Sequence, residues 1–231
     1  MIPGIYFDTL NEIVRQKELA VISQNLANIS TPGYKQDKVA FYRYLFSVIE
    51  RKKIDFSEGD LEPTGNPLDI AISGEKDAFF VVTTPDGKTF YTRRGDLFLD
   101  KEKRLITRNG FIVQGEKGEI ILKGNKVKIT EDGKIWVDGK MVDKLKVVAL
   151  PINGIKRYGR SLFYIQGNLS PKSASEYKVF QGYLEGSNVK PVEEVANMVN
   201  CLRNYEICQK SIQSQDETTS RLINDVGIVR I

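Results

Sequence analysis

The segment PDGKT at residues 85–89 has the residue types of a phosphate site, because it ends in the Gly-Lys-Thr of a phosphate-binding loop. The first glycine of such a loop is required at position 82, where this chain has Val82. We therefore predict a hairpin turn at this segment. The chain contains no histidine, which excludes histidine-based acid–base catalysis and histidine metal ligation.

The carboxylates and cysteines also lack the spacing of a catalytic or metal site. Asp132 and Asp138 are not accompanied by the acidic positions and closing glutamate of a calcium loop. Cys201 and Cys208 lie about 10 Å apart on one face of a predicted helix, too far for a disulfide within it. No pattern in the sequence brings two carboxylates into a cleft. We predict that the protein is not an enzyme and binds no cofactor or metal.

The charge balance is mildly basic, with 34 Lys and Arg against 30 Asp and Glu and a net charge of +4. The longest basic run is the triplet 51–53. We therefore expect neither a nucleic acid nor a small-molecule substrate as partner. No apolar run approaches the roughly 20 residues of a membrane span. The first residues also lack the basic and then apolar pattern of a cleavable secretory signal.

The secondary-structure elements that must position any functional residue are indicated by the spacing of the apolar residues, which changes twice along the chain. From about Gly4 to Asn28 the apolar residues follow a helical spacing, and the Thr-Pro-Gly break at 31–33 ends this helix. From Asp69 the period becomes two. The helical stripe consists of Tyr6, Leu10, Ile13, Ala20 and Ala27.

Short apolar runs separated by turn pairs predict an antiparallel β region that extends to about residue 167. Four of the pairs contain Asp-Gly or Asn-Gly, which supply the positive φ angles that two-residue hairpins need, and the fifth contributes only its glycine. The turn pairs are Asp86-Gly87, Asn109-Gly110, Lys117-Gly118, Asp132-Gly133 and Asp138-Gly139.

A second helical pattern of about 35 residues begins at Pro191, a residue suited to a first helical turn. Glu193 and Glu194 complement the helix dipole there. The apolar stripe is diluted by polar residues, so this helix needs partners to be stable. The stripe consists of Val192, Val195, Val199, Leu202, Tyr205, Cys208 and Ile212.

The predicted fold class is α+β, with long N- and C-terminal helices that pair as an antiparallel, coiled-coil-like unit beside a central antiparallel all-β domain. We predict an N-terminal helix in residues 1–34, a connecting arm in 35–60, the β domain in 61–185 and the C-terminal helix in 186–231. The aromatic piece of the arm is interpreted as a helix or an extended segment.

Four segments in this order resemble the rod and hook proteins of the bacterial flagellum. They are SQNLANISTPGYK at 23–35, GDLEPTGNPLDIAISG at 59–74, TRRGDLFLDKEKRLITRNGFIV at 92–113, and the stretch from LEGSNVKPVEE through QSQDE at 184–217. The motif positions within them are Thr31, Gly33, Tyr34, Thr64, Gly65, Asn66, Pro67, Leu68, Asp69, Glu185, Gly186, Ser187, Asn188 and Val189. Pro32, Pro191, the GEKGEI turn and the short chain favour the proximal-rod branch over the distal-rod branch.

The resemblance implies a structural subunit that polymerises helically through its terminal helices and transmits torque from motor to hook. Its partners would be copies of itself, other rod proteins and the flagellar type III export apparatus, which would place it in the periplasm-spanning rod without a cleavable signal. The implied assembly residues are the two stripes, namely Tyr6, Leu10, Ile13, Ala20, Ala27, Val192, Val195, Val199, Leu202, Tyr205, Cys208 and Ile212, together with Asn25, Leu26 and Asn28.

Two questions stay open at the level of sequence. Asn25 and Asn28 would either set register with neighbouring subunits or cap the helix end locally, and the two roles are compatible. The alternatives to a rod subunit are a hook-type protein of the same family, a soluble β module that binds an anionic polymer such as peptidoglycan or nucleic acid, and an enzyme built on carboxylates.

Overall fold

A computed structural model describes residues 3–44, 47–167 and 169–227 of the 231-residue chain. Its contacts divide the chain into two units. The helical unit consists of residues 1–27, 37–55 and 190–231. The β unit consists of residues 28–36 and 56–189. The α+β class predicted from the sequence is confirmed.

The helical unit contains two helices and one hairpin. Its elements are α1 (Pro3–Leu26), β1 (Asp37–Tyr44), β2 (Ser47–Ile54) and α2 (Pro191–Gly227). The helices run antiparallel, since Asp8 contacts Ser211 whereas Asn25 contacts Glu194. β1 and β2 pair in register from Asp37 opposite Ile54, so the aromatic segment of the predicted arm is extended. Its Leu45 and Phe46 lie outside the described residues.

Both helix boundaries follow local chemistry. α1 was expected to reach Asn28 but ends at Leu26, because the chain turns at Asn28, whose carbonyl accepts a hydrogen bond from Thr31 N at 3.1 Å. α2 begins at Pro191, and its first turn contains Glu193 and Glu194 as expected. No helix among the described residues is long and apolar enough to span a membrane.

The β unit is built from short antiparallel strands. They are β3 (Leu61–Pro63), β4 (Ile70–Gly74), β5 (Ala78–Thr83), β6 (Thr89–Thr92), β7 (Leu97–Leu99), β8 (Leu105–Thr107), β9 (Ile112–Val113), β10 (Val127–Ile129), β11 (Lys134–Val137), β12 (Lys140–Lys144), β13 (Val147–Ala149), β14 (Ile155–Tyr158), β15 (Leu162–Ile165), β16 (Lys172–Ser173), β17 (Tyr177–Gln181) and β18 (Tyr183–Glu185). A 3-10 turn, Ile152–Gly154, precedes β14.

The strands form one large sheet and three small ones. The large sheet has the order β14-β15-β6-β5-β9-β8-β7, and β13 pairs with both β5 and β16. The small sheets are β10-β11-β12, β17-β4 and β18-β3. Buried residues of these strands, together with Ile120 from the connection between β9 and β10, share one core, which also includes Ile72, Phe80, Leu105, Ile135 and Val179.

The five predicted turns adopt the backbone conformation that their glycines allow. Between β11 and β12, Asp138 and Gly139 have φ angles of 48° and 82°, the two positive values that a tight hairpin of this kind requires. Gly87, Gly110, Gly118 and Gly133 also have positive φ. The segment 85–89 is therefore the hairpin between β5 and β6, as predicted.

Candidate assembly surfaces

The two helices meet along a seam that contains many polar groups. The Asp8 carboxylate accepts hydrogen bonds from Ser211 Oγ at 2.6 Å and from Gln215 Nε2 at 2.8 Å. Cys201 is buried and its Sγ donates to the Arg15 carbonyl at 3.2 Å. A hydrogen bond of this kind contributes about 0.5–1.5 kcal/mol net, whereas a buried leucine contributes about 1.5–3 kcal/mol. The seam thus sets the register of the helices more than it adds hydrophobic stability.

The structure places the predicted assembly residues in three environments. Asn25 and Asn28 are buried. The half-buried residues are Tyr6, Leu10, Leu26, Tyr205, Cys208 and Ile212. The exposed residues are Ile13, Ala20, Ala27, Val192, Val195, Val199 and Leu202. Their role in assembly stays a prediction.

The apolar residues of α2 lie on two faces. Val192, Val195, Val199 and Leu202 form an outer stripe whose side chains are 40–83% exposed. Tyr205 and later stripe residues are half-buried. The reason is geometric: three residues fall about 60° short of a full turn in a helix of 3.6 residues per turn. Consecutive steps of three, from Val199 to Cys208, therefore carry the stripe around the helix.

The side chain of Asn25 forms its hydrogen bonds within the helical unit. Its amide Nδ2 donates to the Asp37 carbonyl at 2.9 Å and its Oδ1 accepts from Asp37 N at 3.0 Å. Nδ2 also lies 3.5 Å from Glu194 Oε1. One side chain thereby ties α1 to the first residue of β1 and to α2. Since Asn25 is almost fully buried, this arrangement explains an asparagine near the end of a packed helix.

Three buried charges join distant segments of the β unit. Lys35 Nζ donates to Glu185 Oε1 at 2.5 Å and to the Ser57 carbonyl at 2.7 Å. Arg93 NH1 donates to Glu185 Oε2 at 3.4 Å and to the Ile72 carbonyl at 2.8 Å. The side chains of Lys35, Arg93 and Glu185 are all inaccessible to solvent. We call these three residues the junction triad.

The junction triad holds two positive charges against one negative charge. Burial lowers the pKa of Lys35, and the attraction of Glu185 opposes that shift only in part. Burial likewise lowers the pKa of Arg93, against the attraction of Glu185. A buried charge is tolerated only when it is paired and hydrogen-bonded. Among the groups that favour the charged form of the two cations, Glu185 acts most strongly on both, ahead of Glu58.

The motif around Gly33 requires a residue without a side chain. Gly33 has a φ of +64°, and an added Cβ would lie 2.6 Å from the backbone of Arg93 and Arg94. Gly33 N also donates to the Glu185 carbonyl at 2.7 Å. The next residue, Tyr34, is fully buried, and the Arg157 guanidinium lies 4.6 Å from its ring centre.

The second motif, residues 64–69, is a hydrogen-bonded turn that leads into β4. Thr64 Oγ1 donates to Asp69 Oδ2 at 2.7 Å and Asn66 Nδ2 donates to Asp69 Oδ1 at 3.0 Å. Leu68 N donates to Asn66 Oδ1 at 3.2 Å. Gly65, with a φ of +72°, and Pro67 complete the turn. Asp69 is buried, so these residues have a structural role in shaping the chain.

The third motif, residues 185–189, lies beside the chain that leads into the β unit. Asn188 Oδ1 accepts from Gln36 N at 2.7 Å, and Asn188 Nδ2 donates to the Ser57 carbonyl at 3.1 Å. Gly186 N donates to the Asp60 carbonyl at 2.8 Å. Ser187 Oγ accepts from Val189 N at 3.3 Å. The first and last segments of the β unit are thereby held together.

Sequence reasoning missed the cation partners of Glu185. Lys35 and Arg93 stand inside quoted motif segments, but 150 and 92 positions separate them from Glu185, so no spacing links them. A lysine directly after the buried Tyr34 is the one local signal.

The acidic residues considered for a calcium site stabilise hairpins. Lys134 and the Thr130 hydroxyl lower the pKa of Asp132 to about 2, and Asp138 Oδ1 accepts from Lys126 N at 3.0 Å. Within the ranges that the structure describes, no three Cys, Asp or Glu side chains are grouped to hold a metal ion.

Comparison with protein families gives three matches along the chain. "Flagella basal body rod protein" matches residues 13–35, "Flagellar hook protein FlgE/F/G D1 domain" matches 71–137, and "Flagellar basal body rod FlgEFG protein C-terminal" matches 181–225. The first and third matches include parts of the two helices, and the second lies within the β unit. Together they define the class as rod and hook proteins of the bacterial flagellum.

Individual relatives identify one family within this class. FlgF of Salmonella typhimurium and FlgF of Escherichia coli are each 30% identical over 227 residues, covering 87% of this chain and 89% of their own. FlgG of Buchnera aphidicola from Baizongia pistaciae is 28% identical over 260 residues, covering 96% and 99%. The chain belongs to the FlgF/FlgG family of flagellar basal-body rod proteins. The resemblance seen in the sequence is confirmed at this level.

Proposed function

We propose that this protein is a non-enzymatic structural subunit of the flagellar basal-body rod, which polymerises helically through its terminal helices and transmits torque from motor to hook. The observation that carries the proposal is the outer stripe of α2, from Val192 to Leu202. Four apolar side chains at helical spacing face solvent in the single chain. A stripe of this kind indicates a surface that a partner covers, and packing between helices from several subunits would cover it.

The test replaces stripe residues in a flagellated bacterium that carries this gene. We expect Val195→Asp with Leu202→Asp to leave the fold of the single chain intact, because these residues are 50% and 40% exposed. We expect the variant to lose motility and to be missing from purified basal bodies. The matched control is Ile152→Asp, an exposed apolar residue of the β unit, which should retain both. Normal rods in a strain that lacks the gene altogether would contradict the proposal.

We further propose the proximal-rod type, FlgF. Pro32, Pro191 and the GEKGEI turn support this assignment, while the comparisons match FlgF and FlgG alike. Expression in strains that lack either FlgF or FlgG is the test: motility restored only in the strain without FlgG would overturn the assignment.

We also propose export by the flagellar type III apparatus without cleavage, to be tested by the mass of the chain recovered from purified rods.

A further inference from the structure

A cavity of about 890 Å³ opens on the β unit and carries positive charge. Arg94, Arg108 and Arg160 line it, together with polar groups that include Thr31, Asn109 and Ser161. Among the described residues that line it there is no carboxylate. The ring of Tyr158, which stacks on Phe90 at 4.6 Å between centres, forms part of its wall. We call this cavity the arginine groove.

Two arginines of the groove are available to a ligand. Arg94 is already paired with Asp96, through contacts of 2.5 and 2.7 Å. Arg108 and Arg160 are exposed, and neither guanidinium has a hydrogen-bond or ion-pair partner in the part of the chain that the structure describes.

Arg108 and Arg160 both lie in hairpin turns, so the paired strands on either side fix the position of each backbone. Arg108 lies in the turn between β8 and β9, and Arg160 in the turn between β14 and β15. Arg157 NH1 donates to the Arg160 carbonyl at 2.7 Å and so supports the second turn. A guanidinium presents a rigid fork of donors that matches a carboxylate. The groove therefore suits a ligand that bears at least two carboxylates.

The same chain carries a surface of opposite charge. Glu58, Asp60 and Glu62 are exposed at alternate positions of one extended segment, and none of the three carboxylates has an ion-pair partner within the described residues. We call these residues the acidic ridge. A basic groove and an acidic ridge on one chain are two different surfaces. A contact between them across two copies is heterologous, and such contacts produce closed rings when the rotation closes and open helical filaments when it does not.

We infer that the arginine groove binds the acidic ridge of a second copy of this chain. Arg108 and Arg160 receive carboxylates of the ridge, and the polar groups of the groove wall hydrogen-bond to the same segment. The inference deepens the proposed function and rests on it, since it adds a contact between β units to the contacts of the helices. Charge complementarity gives such a contact direction and specificity.

The test is a charge-swap experiment on the full chain. Sedimentation equilibrium at low salt measures self-association of the wild type, the groove reversal Arg108→Glu with Arg160→Glu, and the ridge reversal Asp60→Lys with Glu62→Lys. We expect each reversal to lower the association constant at least about tenfold, because like charges then face each other. An equimolar mixture of the two reversed variants should associate again. Salt should weaken the wild-type contact, since ions screen exposed charges.

The matched control is Lys101→Glu with Lys140→Glu, which changes the net charge as much as the groove reversal but at exposed lysines outside the groove. It should associate like the wild type, because both its arginine groove and its acidic ridge are intact. Three results would overturn the inference: a wild type that stays monomeric at all concentrations, a groove reversal that associates normally, or a mixture that fails to associate. Loss of motility in the α2 stripe variant would still support the rod function, so the two failures are distinguishable.

Discussion

At the scale of single residues, Glu185 compensates two buried cations, Lys35 and Arg93. Glu185→Gln keeps the size of the side chain and removes its charge. Loss of one partner from a buried ion pair costs about 3–5 kcal/mol, and we expect that loss in the free energy of unfolding. Urea unfolding followed by fluorescence of Trp136, the single tryptophan, measures it in the β unit. Glu62→Gln, at an exposed position, should change the value by less than about 0.5 kcal/mol.

Removal of the Lys35 charge should destabilise the β unit less than removal of the Glu185 charge. In Lys35→Met the Ser57 carbonyl keeps its hydrogen bond from Asn188 Nδ2, and Glu185 Oε1 keeps the one from Gly59 N. The remaining pair is neutral. We expect Lys35→Met to lower the free energy of unfolding by less than half the loss in Glu185→Gln. Equal losses in urea unfolding of the two variants would show that charge imbalance is not the cause.

Burial of Lys35 also predicts a pH dependence. The pKa of Lys35 in the folded state lies below the ordinary value of 10.5. Between these two pKa values the unfolded chain still binds this proton, whereas the folded chain has released it. Stability rises with pH wherever the unfolded state binds more protons. We expect the free energy of unfolding of the wild type, relative to Lys35→Met, to rise as pH approaches 10.5. Tyr91 and Tyr177, whose pKa values burial raises, act in the opposite direction but are common to both proteins.

Gly33 offers a second test at the same scale, with a matched control. Gly33→Ala meets both a positive φ and a backbone 2.6 Å away, whereas Gly110→Ala meets a positive φ of +79° in open space. Conformational strain alone costs on the order of 1 kcal/mol. We expect Gly110→Ala to show that cost and Gly33→Ala to exceed it clearly in thermal unfolding. Similar losses would mean that the chain near Arg93 moves to accept the methyl group.

At the scale of elements, the helix seam depends on Asp8. Asp8→Ala removes the acceptor of two hydrogen bonds, from Ser211 and Gln215, and we expect a loss of about 1–3 kcal/mol in the stability of the helical unit. Helical circular dichroism during urea unfolding measures it, while Trp136 fluorescence should be unchanged. Asp216→Ala, an exposed residue on α2, is the control. Equal effects on both signals would show that Asp8 acts beyond the seam.

The elements that local chemistry determines were predictable, and those set by distant contacts were not. Asp138-Gly139 and the other turn pairs specified hairpins because few residues accept positive φ. The stripe of α2 was recognised, yet its division into two faces emerged only when each residue was placed on the helix. The junction triad could not be predicted, since nothing local to Lys35 or Arg93 indicates a glutamate far along the chain.

At the scale of the whole molecule, the two units differ in how they are stabilised. The β unit encloses a continuous apolar core, whereas α2 leaves its outer stripe exposed and meets α1 through many polar contacts. We expect limited proteolysis of the dilute chain to remove both helices and leave a fragment near residues 28–189, which keeps the buried Tyr34 and Lys35 of the β unit, identified by mass. Urea should likewise abolish the helical signal before it changes Trp136 fluorescence. Survival of the full chain as a compact monomer would contradict the expectation that the helices need contacts with other subunits to be stable.

The contacts of residues 57–60 with 186–188 have a consequence for the evolution of such chains. Because the longer segment of the β unit, residues 56–189, begins and ends at one hydrogen-bonded point, it can be treated as an insertion between the β1–β2 hairpin and α2. An insertion with adjacent ends can lengthen, shrink or be exchanged without changing the spacing that its flanks must span. Evolution could therefore vary this insertion while conserving the helices, and a protein engineer could graft a foreign domain between the same two positions.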